Sequence, residues 1–153
     1  MAKFLYKLQN ILSIKVSLET QTKTAYTEAS NKLDIEETNL KNLINKRLEY
    51  EEQCRHLSKA RLDIPSIQRC NSAIEFSKEL IKKQIVTVKV AERNLDLARN
   101  RLNNAMKERK TYEKLKENSF DVFKQEINAE EKKEIDELVS FNYNDNNKEI
   151  GEL

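Results

Sequence analysis

The side chains that could carry catalysis or bind a metal ion are few. The 153-residue chain contains one histidine, His56, and two cysteines, Cys54 and Cys70. A structural zinc site usually takes four cysteine or histidine ligands, and a lone histidine on a charged helix is more often solvated than catalytic. The one glycine is Gly151, so the sequence holds no glycine-rich phosphate loop. These residues predict no catalytic, cofactor-binding or metal site, and therefore a protein that is not an enzyme.

The N-terminal sequence indicates the cellular compartment and, through it, the redox state of the two cysteines. The stretch MAKFLYKLQNILSIKVSLE is interrupted by Lys3, Lys7 and Lys15. It lacks the unbroken apolar segment of a signal peptide or a membrane span. We therefore expect a cytoplasmic protein in which Cys54 and Cys70, which flank a predicted turn, are reduced thiols.

The composition is that of long helices. Charged residues make up 35% of the chain and apolar residues 38%, with one Gly, one Pro and no Trp. A compact domain needs more glycines for its turns and a larger apolar share for its core. Sustained heptad-like spacing of apolar residues argues against disorder. The elements that must position any site are therefore a small number of extended helices.

The one strong helix breaker lies in RLDIPSIQRC, residues 61–70. Pro65 lacks an N–H and disfavours a helical Ile64, whereas Asp63 suits the N-cap of a following helix. We predict an all-α fold: helices over about 3–60 and 65–139, joined by a turn near 61–66. Residues 1–140 are expected to form an antiparallel coiled-coil hairpin with an overhanging C-terminal helix, and the Asn-rich residues 141–153 a disordered tail.

A coiled-coil seam can be traced along both predicted helices, with one slip of register in each. Small residues on it would let the two helix axes approach closely. The predicted seam of the first helix is Phe4, Leu8, Ile11, Lys15, Leu18, Thr22, Ala25, Ala29, Leu33, Leu40, Leu43, Arg47, Tyr50, Cys54 and Leu57. That of the second is Ile74, Ser77, Ile81, Ile85, Val88, Ala91, Leu95, Ala98, Leu102, Ala105, Arg109 and Tyr112.

The pairing of the helices follows from the turn. With a turn near residue 63, residues whose numbers sum to about 126 are expected to face each other. Phe4 then lies opposite Phe120 and Phe123, and residues 126–140 have no partner within the chain. We expect Phe4, Leu8, Phe120 and Phe123 to lock this end, so that the stretch from Leu115 to Leu138 is presented to a partner.

Charge is distributed unevenly along the chain. Residues 78–116 hold 12 Lys or Arg against 5 Asp or Glu, whereas residues 117–153 hold 4 against 11. One interpretation is an ordinary solvated helix surface. Another is a basic belt and an acidic end that orient the protein in a larger assembly. Nucleic acid is a weak third candidate, because the belt is mixed with acids and carries one aromatic residue, Tyr112.

Phe76 and Leu80 are large, apolar and absent from the seam. Their i, i+4 spacing places them on one helix face, away from the residues predicted to point inward. We interpret them as anchors for a partner protein. The alternatives are that the turn folds over Phe76 or that a second copy buries it.

Three stretches make the chain similar to a known family: FLYKLQNILSIKVSLE at 4–19, ERKTYEKLKE at 108–117 and EIDELVSFNYN at 134–144. Together with the length and the placement of the break, they resemble the FliJ family of bacterial flagellar type III export. The Asn-rich tail departs from the more basic ending of that family.

The resemblance implies a cytoplasmic rod at the inner face of the cell membrane, similar to the central stalk of rotary ATP synthases. Its implied partners are the export ATPase FliI, the export gate protein FlhA and export chaperones, and membrane contact would come only through them. The ends Phe4–Leu18 and Leu115–Leu138 would enter the ATPase ring, and the turn end would face the gate. The partner-binding residues predicted on these grounds are Phe76, Leu80, Leu115, Phe120, Phe123 and Leu138.

Two rival classes share the same helical pattern. A prefoldin-like chaperone arm would expose apolar residues at free helix tips and function only as an oligomer. A helical arm that grips nucleic acid, as on some synthetases, would bind tRNA in a salt-dependent manner.

Overall fold

The computed structural model describes residues 2–60 and 63–151; for residues 60, 149 and 150 it describes the backbone alone. Helix α1 spans Gln9–Ala60 and helix α2 spans Ile64–Gly151. The two pack against each other as an antiparallel hairpin, so the predicted all-α fold is confirmed. The chain divides into two units: unit 1 comprises Met1–Ser17 and Lys107–Leu153, and unit 2 comprises Leu18–Met106.

The start of α1 differs from the prediction. The helix was expected from about residue 3 but begins at Gln9, and the segment before it is not helical. Phe4, Tyr6 and Leu8 are half-buried there, whereas the residues between them are exposed. Phe4 and Tyr6 lie on one side of this segment, whereas residues 7 and 8 form a turn in which Gln9 N donates to the backbone oxygen of Tyr6 at 3.1 Å. Tertiary contacts of Phe4 and Tyr6 therefore override the helical pattern that follows them.

The start of α2 lies one residue before the predicted one, because the helix begins at Ile64, which was expected to be non-helical before Pro65. Asp63 directly precedes the helix, and its backbone oxygen accepts a hydrogen bond from Ile67 N at 3.0 Å. Its carboxylate accepts a second one from Ser66 Oγ at 2.6 Å. Pro65 lies in the first helical turn, where the missing N–H costs nothing. Two residues of the predicted turn, 61 and 62, lie outside the described residues.

The C-terminal end of α2 extends further than predicted. The helix was expected to end near residue 139, with a disordered tail, but it continues to Gly151. Neither Gly nor Pro occurs between Ser66 and Ile150, and an Asn costs less than about 1 kcal/mol relative to Ala in a helix. Beyond Ile127 every described side chain is exposed, so this end of α2 has no partner in unit 1.

The seam of unit 2 has the predicted period but lacks the predicted slips. Along α1 the half-buried positions run without interruption in steps of three and four, and Tyr26 faces inward in place of Ala25. The predicted seam was counted from Phe4, which is not in the helix, so its phase along the first part of α1 was wrong. The predicted slip corrected for this error. The half-buried seam positions of α1 here are Glu19, Thr22, Tyr26, Ala29, Leu33, Glu36, Leu40, Leu43, Arg47, Tyr50 and Cys54.

The slip predicted in α2 is also wrong. Gln84 faces inward, whereas Ile85 is 39% exposed. The reason is a polar pairing: Gln84 Nε2 donates to the backbone oxygen of Glu36 at 2.9 Å and to its Oε2 at 2.6 Å. The predicted small-residue positions Ala91, Ala98 and Ala105 are buried, together with Ser77, Ile81 and Val88.

Candidate partner-binding surfaces

The first candidate surface lies on unit 2 around Phe76. Phe76 is 66% exposed and Leu80 is half-buried, whereas their neighbours Ser77 and Ile81 are buried in the seam. The structure thus leaves Phe76 uncovered, as the anchor hypothesis requires, but gives Leu80 a share in the packing. Leu80 is therefore a smaller part of any docking surface than the sequence suggested.

Two further residues belong at this level of unit 2. The pairs Glu36–Gln84 and Cys54–Cys70 place Phe76 opposite the stretch of α1 that contains Ile44 and Leu48. Both are exposed, at 42% and 56%. Their exposure was not predicted, although they are an i, i+4 apolar pair that lies off the seam, which is the signal that identified Phe76 and Leu80.

The second candidate surface lies in unit 1 around three phenylalanines. The Phe4 ring centroid lies 5.1 Å from that of Phe120 and 5.3 Å from that of Phe123. The Lys124 ammonium lies 4.6 Å from the centroid of the Phe120 ring, within range of a cation–π interaction. This arrangement confirms that Phe4 faces Phe120 and Phe123. It joins the segment that precedes α1 to α2 through Phe4.

A groove of about 600 Å³ adjoins this cluster. Leu5, which is 81% exposed, and Val122, which is 53% exposed, line it together with Phe123. Lys3, Lys7 and Glu126 also line it. The groove therefore offers apolar area bordered by both signs of charge, which suits a protein segment better than a small uncharged ligand.

Polar contacts hold the chain beside the cluster. Tyr6 Oη donates a hydrogen bond to the backbone oxygen of Tyr112 at 3.2 Å. Lys15 Nζ lies 2.8 Å from Glu108 Oε2 and 5.9 Å from the Tyr112 ring centroid. The hydrogen bond to Glu108 raises the pKa of Lys15 above its usual value of 10.5, with a smaller opposing effect from desolvation. These contacts fix the level at which α1 and α2 meet in unit 1.

The third candidate surface is the C-terminal end of α2. Leu138 is 63% exposed, and four further large apolar side chains are exposed to a similar degree. Acidic side chains flank this face at Glu134 and Glu137. Leu115 and Phe120, which were predicted to bind the same partner, are 43% and 39% exposed. The other exposed apolar residues at this end are Ile135, Val139, Phe141 and Tyr143.

The two cysteines differ from the prediction. They were expected to be reduced thiols, but the structure joins Cys54 and Cys70 by a disulfide, with their Cα atoms 5.8 Å apart. The reason is geometric, because both occupy facing seam positions beside the turn. His56 is exposed and lies 3.4 Å from Glu52. Among the described residues, no group of metal-binding side chains comes together, and no helix is long and apolar enough to cross a membrane.

Comparison with known proteins identifies the family. The chain matches the family described as Flagellar FliJ protein over residues 4–148, which is nearly its whole length. No curated protein and no solved structure matches it significantly. The match includes all three candidate surfaces and the predicted resemblance is confirmed. The chain belongs to the FliJ family and is a component of the flagellar type III export apparatus.

Proposed function

We propose that this protein binds and stimulates the export ATPase, a FliI-like enzyme, and couples it to a FlhA-like export gate. It acts as a stalk-like, non-enzymatic component and has no small-molecule substrate. The observation that carries the proposal is the set of large apolar side chains that the hairpin leaves exposed, at Phe76 in unit 2 and along α2 from Leu115 to Leu138 in unit 1. Exposed apolar patches that contain aromatic side chains are typical of protein-binding sites.

The ATPase is assigned to unit 1. Its aromatic cluster fixes the N-terminal segment on α2, and the helix then continues with exposed apolar residues and acidic neighbours. A single helix with one apolar face can dock in a groove of a partner. In the family resemblance this end enters the ATPase ring, so Leu115, Phe120, Phe123 and Leu138 are assigned to that contact.

The export gate is assigned to the Phe76 surface of unit 2. Phe76, Leu80, Ile44 and Leu48 lie at one level of the hairpin, close to the end that the resemblance directs to the gate. Truncation of a buried aromatic anchor commonly costs about 2–4 kcal/mol of binding free energy. Export chaperones are proposed as further partners, and attachment to the inner face of the cell membrane at the flagellar base follows from these contacts.

The test measures gate affinity and ATPase stimulation for two double variants. We expect Phe76→Ala, Leu80→Ala to lower gate affinity by roughly 2–4 kcal/mol while ATPase stimulation is unchanged. The matched control is Val86→Ala, Val90→Ala, because both valines lie on the same helix and are exposed at 60% and 53%. It should affect neither activity.

Three outcomes bear on the proposal. Unchanged gate affinity of the first variant would remove Phe76 and Leu80 from the interface. Loss of thermal stability together with affinity would assign them to the fold instead. Failure of the wild-type protein both to stimulate the ATPase and to retain it in a pull-down would contradict the proposed function as a whole.

A further inference from the structure

Cys54 and Cys70 are placed to form a bond with each other. Cys54 lies on α1 and Cys70 on α2, both are half-buried, and their sulfurs are bonded across the seam of unit 2. The Cα separation of 5.8 Å is typical of an unstrained backbone around a disulfide. The backbone of the hairpin therefore brings the pair together without local distortion.

The reduced pair is accommodated at the same place. Cys70 Sγ lies 3.7 Å from the backbone oxygen of Tyr50, a contact that the thiol, but not the disulfide sulfur, can make as a weak hydrogen bond. Both cysteines also occupy seam positions, where a thiol packs as a small apolar side chain. Neither state requires α1 and α2 to separate.

We propose that Cys54 and Cys70 form a reversible redox site. The bond between them holds together the end of α1 and the start of α2, which is the turn end of unit 2. A small disulfide of the glutathione class is the oxidant. One cysteine thiolate attacks it, forming a mixed disulfide and releasing one small thiol. The second thiolate then attacks the mixed disulfide, releases a second small thiol and leaves the Cys54–Cys70 bond. Excess small thiol reverses both exchanges.

The surroundings of the pair suit this chemistry. Deprotonation of either thiol gives the thiolate, which is the attacking form. Half-buried sulfurs remain within reach of a small disulfide. In a reducing compartment, paired cysteines of this kind are commonly transient or redox-sensing rather than permanent.

The turn end is the part of unit 2 that a crosslink can affect most. Residues 55–59 and 63–65 are exposed, and beyond them only Ser66 and Ile67 are half-buried before Cys70. Among the described residues of this segment, little apolar burial holds it in place. A bond across a sequence separation of 16 residues restricts its opening. For a loop of that length, the opening equilibrium is expected to fall on the order of a hundredfold.

The experiment compares the full chain in oxidised glutathione with the same chain in dithiothreitol. Thiol titration should find no free thiol in the first sample and both thiols in the second. Hydrogen exchange followed by mass spectrometry should be on the order of a hundredfold slower in the oxidised sample over residues 50–75. Peptides from unit 1 serve as the internal control, because they should exchange at equal rates in both samples.

The double variant Cys54→Ser, Cys70→Ser should exchange like the reduced wild-type protein in both buffers. Stable mixed disulfides or intermolecular dimers without an internal bond would overturn the proposal. Equal exchange of the turn segment in the oxidised and reduced wild-type protein would also overturn it. Since these comparisons use the wild-type chain, they do not depend on whether the double variant folds.

Discussion

The Lys15 ammonium is held in unit 1 by the Glu108 carboxylate and lies near the ring of Tyr112. Most ion pairs among the described residues join residues three or four apart on one helix, and the exposed ones contribute little to stability. The Lys15–Glu108 pair instead joins α1 to α2. It can therefore report on the packing of the two helices in unit 1.

The raised pKa of Lys15 predicts a pH dependence of stability. Because the folded state favours the protonated lysine, the contribution of Lys15 is complete below about pH 10.5 and is lost as pH rises through the folded pKa. We expect Lys15→Met to be less sensitive than wild type to alkaline unfolding in this range, as measured by circular dichroism. Lys7→Met, which alters an exposed lysine of the same unit, is the control and should follow the wild-type curve.

The cluster of Phe4, Phe120 and Phe123 predicts that a single substitution within it lowers the stability of unit 1. Phe123→Ala should destabilise unit 1 by about 1–3 kcal/mol, because a fully buried phenylalanine costs about 3–5 and Phe123 is half-buried. Hydrogen exchange should increase at both chain ends and stimulation of the ATPase should weaken. Phe141→Ala alters an aromatic residue that is 64% exposed and should stay within about 0.5 kcal/mol of wild type. Full stimulation by a Phe123→Ala protein with frayed ends would show that the ATPase contact does not need the cluster.

At the scale of the elements, the Gln84–Glu36 contact sets the level at which α1 and α2 pair in unit 2. A polar residue at one seam position commonly fixes the register of a coiled coil at some cost in stability. Shifting the pairing by one seam layer would separate the Gln84 amide from both Glu36 oxygens, which it meets at 2.9 Å and 2.6 Å. The apolar seam residues on either side of Gln84, such as Ile81 and Val88, make no comparable directional contact that would favour one register.

A charge placed at this layer tests its role. Gln84→Glu puts two carboxylates together in a partly buried site, and we expect the free energy of unfolding at neutral pH to fall by about 1–3 kcal/mol. Adding Glu36→Gln restores a carboxylate–amide pair and should recover most of the loss, as a double-mutant cycle in urea would measure. If the two changes were simply additive, the contact would have no part in the register.

The two helices show most clearly which features could be predicted from the sequence and which could not. Pro65 and Asp63 predicted the start of α2 to within one residue, because the constraints that they place on the backbone act locally. The phase of the α1 seam was predicted wrongly because it was counted from Phe4. The position of Phe4 depends on Phe120 and Phe123, which lie far away in the sequence. Gln84 was passed over for Ile85, because hydrophobicity alone does not reveal a hydrogen bond to Glu36. The exposure of Phe76 was predictable because it lies off the seam.

The whole molecule carries almost no net charge, at +2, yet its charges are segregated along the chain. Residues 117–153 hold 4 basic against 11 acidic side chains, and every described side chain from Asn128 to Lys148 is exposed. Charges that lie in solvent act on the rate of encounter with a partner more than on the fold. An acidic end of this kind favours approach to a basic surface.

This charge distribution predicts the kinetics of association with the proposed ATPase partner. Changing Glu130, Glu131, Glu134 and Glu137 together to Gln should slow association several-fold at low ionic strength, because electrostatic steering raises encounter rates by about 10-fold or more. The difference should vanish at high salt, where the Debye length falls to a few ångströms. The matched control changes four exposed acids of α1 to their amides, at Glu28, Asp34, Glu37 and Glu49, and produces the same net charge. Stopped-flow association that slows equally for both variants would show that net charge alone is responsible, and no change in either would show that the acidic end does not steer binding.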